Sequence, residues 1–69
     1  MSLLLTPQER DRFVIYLNQQ ADSNEQIAEQ LEKVGGPPML TVAKKNRMEA
    51  AAMRLVSLIL ASAEYQELS

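Results

Sequence analysis

Asp22, Glu25, Glu29 and Glu32 follow one another at intervals of three, four and three residues, the spacing that aligns side chains along one stripe of an α-helix. Carboxylates so aligned can hold a cation, dock a basic protein surface, or pair with cations on a neighbouring helix. The cation use is the weakest of the three. Carboxylate metal centres in helical bundles draw on Glu-x-x-His ligands, and this chain has no histidine. Lys44-Lys45-Asn46-Arg47 is the one basic cluster, and Arg54 continues it seven residues on. Those cations are what a nucleic-acid interface would use. However, Phe13, Tyr16 and Tyr65 lie elsewhere, so no aromatic residue is interleaved with them. Seven Lys/Arg against nine Asp/Glu, a net charge of −2, also count against a chain built to coat a polyanion.

The remaining chemistry is closed by absence. Without cysteine or histidine there are no disulfides, thiolate metal sites, thiol nucleophiles or imidazole bases. Phosphate-binding glycine patterns, nucleophile elbows and metal motifs do not occur. The reading therefore predicts no catalytic residues, no cofactor and no metal, and a protein that is not an enzyme.

The elements that carry the two charged groups are well punctuated. Thr6-Pro7-Gln8-Glu9 is a capping box: Thr6 can accept from the Glu9 N–H while Glu9 reaches back to the Thr6 N–H, with Pro7 in the first helical position. Gly35-Gly36-Pro37-Pro38 reads as a helix stop, a tight reversal and a helix start. The expected fold is a single all-α domain over 1–69: a helix over 7–34, a turn over 35–37 and a second helix over 38–67. So short a connection makes the helices antiparallel. Each comes to roughly 42–45 Å at 1.5 Å per residue. Ser23-x-x-Gln26 is a second capping pattern, so the alternative is a monomeric three-helix fold broken near Ser23.

Phe13, Leu17, Ile27, Leu31 and Val34 recur on one face of the first helix, a seam interrupted by Gln20 and Asn24. On the second helix, Met48, Ala52, Leu55, Val56, Ile59 and Ala63 share one side, with Arg47, Arg54, Ser57 and Ala61 roughly opposite. Met53, Leu58 and Leu60 widen its apolar surface beyond an ordinary stripe, the mark of a helix covered by more than one neighbour. The alanines among Ala50-Ala51-Ala52, with Ala61 and Ala63, permit close helix approach. A chain of 69 residues buries only about 60% of its unfolded surface and has no staple. Self-association follows as the expected remedy: two hairpins closing into a four-helix bundle. The expected interface is Met48, Ala52, Met53, Leu55, Val56, Leu58, Ile59 and Leu60.

Counting residues outward from Gly36 sets Glu25 and Glu29 level with Arg47 and Ala43. Arg47 and Lys44 are then expected to neutralise the acidic stripe. Tyr16 and Tyr65 are expected to approach each other at the open end, with Leu3-Leu4-Leu5 packing nearby. The apolar run from Ala50 to Ala63 contains Arg54 and falls short of the roughly 20 residues a membrane span needs. With no signal-peptide pattern at the start, a cytoplasmic location is expected.

The phrase Leu5-Thr6-Pro7-Gln8-Glu9-Arg10-Asp11-Arg12-Phe13, followed by Tyr16-Leu17, resembles the opening of a group of short uncharacterised proteins encoded by tailed phages and prophages. The likeness extends through the acidic segment Ala21-Asp22-Ser23 to Gln30-Leu31-Glu32-Lys33. It continues in the Glu- and Ala-rich helix from Glu49 to Glu64. It implies a phage origin and a host-cytoplasmic setting, and brings no activity and no functional residues. Besides a second copy of the chain, a host or phage protein docked on Asp22, Glu25, Glu29 and Glu32 is the other partner expected. Nucleic acid on Lys44, Lys45, Arg47 and Arg54 is the alternative.

Overall fold

The computed structural model describes residues 5–68, with side chains through Tyr65. Three helices follow in order: α1 over Pro7–Val34, α2 over Pro37–Leu60 and α3 over Ala63–Leu68. The first two pack antiparallel into a rod of 50 × 20 × 16 Å, two helices wide and one thick. Met1 to Leu4 lie outside the described residues, so of the expected leucine arm only Leu5 is seen, half-buried.

α1 begins as its capping residues dictate. Thr6 is extended (φ −66°, ψ 159°); the Glu9 N–H donates to its Oγ1 at 3.1 Å and the Thr6 N–H donates to Glu9 Oε1 at 2.9 Å. The backbone N–H of Thr6 first, and its hydroxyl beside the carboxyl second, hold the Glu9 carboxyl below its ordinary value. α1 then runs unbroken through Ser23. The reversal rests on two glycines at positive φ, Gly35 at 79° and Gly36 at 93°, where an L side chain is strained. The Gly35 N–H closes α1 on the Leu31 carbonyl at 3.0 Å. Pro37 and Pro38 start α2, where a missing N–H costs nothing.

α2 stops short of the expected end. Ala61 and Ser62 interrupt it, and Ser62 caps α3: the Tyr65 N–H donates to Ser62 Oγ at 3.2 Å. Serine favours this role over a helix interior because its hydroxyl competes for nearby backbone groups. The chain does break one helix, but at Ser62 rather than at Ser23.

The most deeply buried positions of the seam between α1 and α2 are small residues. On α1 the buried and half-buried positions Val14, Leu17, Ala21, Asn24, Ala28 and Leu31 recur at alternating intervals of three and four. On α2 the matching series is Ala43, Asn46, Ala50, Met53, Ser57 and Leu60. Every seventh residue is thus Ala or Ser at Ala21 and Ala28 on one helix and at Ala43, Ala50 and Ser57 on the other. That repeat keeps one seam facing the partner helix. The buried Ser57 hydroxyl donates to the Arg54 carbonyl at 2.7 Å, so it packs as a small, satisfied residue. Leu17 and Leu60 are the large side chains buried in the seam, both toward the open end of the hairpin.

This seam corrects the expected faces. Leu17 and Leu31 belong to it, but Phe13, Ile27 and Val34 stay exposed beside it. Leu60 is buried within the hairpin and Met53 half-buried, its sulfur accepting from Asn24 Nδ2 at 3.7 Å. Leu60 does not face water, and Met53 does so only in part, whereas the expected interface required both to be exposed.

Candidate interaction surface

Each side of the hairpin has its own character. One flank is charged. Arg54 reaches across to α1 and donates through Nε to Glu25 Oε1 at 3.0 Å, through Nη2 to Asp22 Oδ1 at 2.6 Å and through Nη1 to Asn18 Oδ1 at 3.1 Å. Two turns beyond, Arg47 makes a two-pronged pair with Glu32, its Nε lying 3.2 Å from Oε2. Both guanidinium groups are held above their ordinary value, Arg54 chiefly by the Glu25 bond and then that to Asp22, Arg47 by Glu32. The Glu32 carboxyl is correspondingly lowered by its bond from Arg47.

The acidic stripe is therefore largely consumed by the chain itself. Glu29 lies 3.8 Å from Lys33 on its own helix. The partners differ from those expected: Glu25 meets Arg54 rather than Arg47, and Arg47 meets Glu32. The physical cause is side-chain lean. Side chains tilt toward the N-terminus of their own helix, so in an antiparallel pair the arginines reach toward the turn and the carboxylates away from it. Against the Cα count the acid sits nearer the reversal, by about one turn for Asp22 with Arg54 and by about two turns for Glu25 with Arg54 and Glu32 with Arg47. Among the described residues Lys44 and Lys45 form no ion pair, and no three acidic side chains converge as metal ligands. Of the four candidate nucleic-acid residues, then, two are neutralised by carboxylates and two remain free.

The opposite flank is largely apolar, interrupted by Gln20 on α1 and the exposed Glu49 on α2. Phe13, Ile27 and Val34 project from α1 at multiples of seven residues, and Val42 and Val56 occupy the corresponding flank of α2. Tyr16 stacks on Phe13, ring centroids 6.2 Å apart, in place of the expected meeting with Tyr65. Tyr65 is half-buried in α3.

The outer face of α2 continues this apolar surface. Met48, Ala52, Leu55 and Ile59 recur at intervals of four, three and four, and at 100° per residue they centre almost opposite the α1 seam. Met48 is 65% exposed, Leu55 60%, Leu58 69% and Ile59 55%. α2 is thus seamed twice, once inward with small residues and once outward with large ones. Of the eight residues expected at an interface, Met48, Ala52, Leu55, Val56, Leu58 and Ile59 are on the exposed side. Phe13, Ile27 and Val34 were assigned to the core and enlarge the patch instead. The signal that would have placed them is the small residue at every seventh position, which marks the true seam.

A shallow hollow on α1, lined by Ser23, Gln26, Ile27, Glu29, Gln30 and Leu31, is open to solvent and offers one ionisable group. No helix among the described residues is long and apolar enough to cross a membrane. No protein-family model, curated protein or solved structure matches the chain.

Proposed function

We propose that this chain is a non-enzymatic interaction protein that acts through self-association, two hairpins closing into a four-helix bundle. The observation that carries the reading is the outward seam of α2. A run of large aliphatic side chains is more than half exposed, while five of the seven buried residues inside the hairpin are Ala or Ser. Contiguous exposed apolar surface on a small protein marks a binding site. The apolar flank of Phe13, Ile27, Val34, Val42 and Val56 lets both helices of each hairpin contribute, as a bundle requires.

The charged flank supports the same division of labour. Its ion pairs join α1 to α2 and leave few free charges for a polyanion or a basic protein. Arg47 and Arg54 would have to abandon Glu32, Glu25 and Asp22 to bind phosphate.

Sedimentation equilibrium over a dilution series tests the proposal. A species of twice 7.7 kDa is expected, and Leu55→Glu should reduce it to a single helical chain. A wild-type protein of 7.7 kDa at every concentration contradicts it.

A further inference from the structure

We propose that the occupant of the outer face of α2 is the α2 of a second copy running antiparallel, about a two-fold axis passing between Ala52 and Leu55. This rests on the self-association argued above and adds the subunit orientation.

The outward seam reads the same in both directions. Its intervals of four, three and four residues are symmetric about a midpoint between Ala52 and Leu55. Inverting the helix about that midpoint brings Met48 level with Ile59 of the second copy, and Ala52 level with its Leu55. Small then meets large and large meets large. A parallel arrangement would set Ala52 on Ala52 and Leu55 on Leu55, a void beside a crowded layer.

The charges favour the same orientation. Lys44 and Lys45 are exposed on α2 and form no ion pair within the hairpin; Glu64, just past the end of α2, is likewise exposed and unpaired among the described residues. Antiparallel pairing carries the lysine end of each helix toward the Glu64 end of the other. Parallel pairing brings four lysines together. Like charges across an interface select against an arrangement more effectively than exposed pairs stabilise one.

Because the chain contains no cysteine, single thiols can be introduced at Met48→Cys and Ile59→Cys, both exposed positions. The two variants, distinguished by isotope labelling, are mixed in equal amounts and oxidised mildly. The mixed 48–59 disulfide is expected to exceed either homodisulfide at least tenfold. An excess of 48–48 and 59–59 products overturns the antiparallel orientation. Absence of cross-linking while sedimentation still reports a dimer overturns this use of the α2 face alone. Absence of cross-linking with a monomeric mass overturns the self-association on which it rests.

Discussion

Replacing Ala50 by Leu inserts three carbons into the inward seam of α2 at a position only 1% exposed. Neighbouring seam positions on α1, Ala21 and Ala28, are fully buried and equally small, so the added volume has no void to enter. Overpacking of a close seam costs about 1–3 kcal/mol. The upper part of that range is expected here, since a rigid helix that is pushed away loosens the layers on both sides as well. With a urea dependence of about 1 kcal/mol per molar, suited to a small chain, the midpoint should fall by about 2 M. The assay is urea unfolding followed by circular dichroism at one fixed protein concentration, because association also contributes stability. Ala51→Leu, at the exposed neighbouring residue, is the control and should shift stability by no more than about 0.5 kcal/mol. If Ala50→Leu proved as stable as Ala51→Leu, the small-residue seam would not be what joins the helices.

Other consequences test separate parts of the structure. Gly35→Ala should cost about 1–3 kcal/mol through backbone strain alone, since an added Cβ meets nothing within 4 Å; D-alanine at the same position, introduced by chemical synthesis, should restore stability. Thr6→Ala should cost about 1 kcal/mol in chemical denaturation by removing the α1 cap. The Glu9 and Glu32 carboxyls are held below their unfolded values, so their contribution is complete above the unfolded carboxylate range near pH 4.5 and is lost as pH falls through the lower folded values. Urea midpoints measured between pH 6 and 2 should show that loss, and Glu32→Gln should make it shallower. Leu55→Ala removes about 2 kcal/mol of transferable side chain, of which about 60% is exposed in the hairpin. Doubled by symmetry, this should weaken the dimer roughly 50-fold in sedimentation equilibrium.

The elements were largely legible in the sequence because their boundaries are set by local chemistry. Thr6, Pro7 and Glu9 can start a helix without knowledge of the rest of the chain, and Gly35 and Gly36 can stop one. The interruption at Ser62 is local too, but a serine in an alanine-rich stretch has no glycine or proline to announce it. Which face pairs with which was not readable from hydrophobicity. Large residues attract attention as core, yet two helices approach most closely where side chains are smallest, so Ala28 and Ala50 are buried while Ile27 and Leu55 are exposed. The ion pairs escaped a count of backbone levels because arginine is long and leans, which carries Arg54 to Glu25 and Arg47 to Glu32. The outward apolar surface was visible in the composition of α2, and the structure supplies its outline.

If a second copy of the chain covers the exposed seam of α2, as proposed, thermal unfolding must depend on protein concentration. At about 0.7 kcal/mol per residue, two chains of this length melt with an enthalpy near 100 kcal/mol. A dimer that unfolds to free chains should therefore gain about 5 °C in Tm for each tenfold rise in concentration. A Tm that stays constant across a thousandfold dilution, with full helical signal at the lowest concentration, would mean that no second copy covers the α2 face.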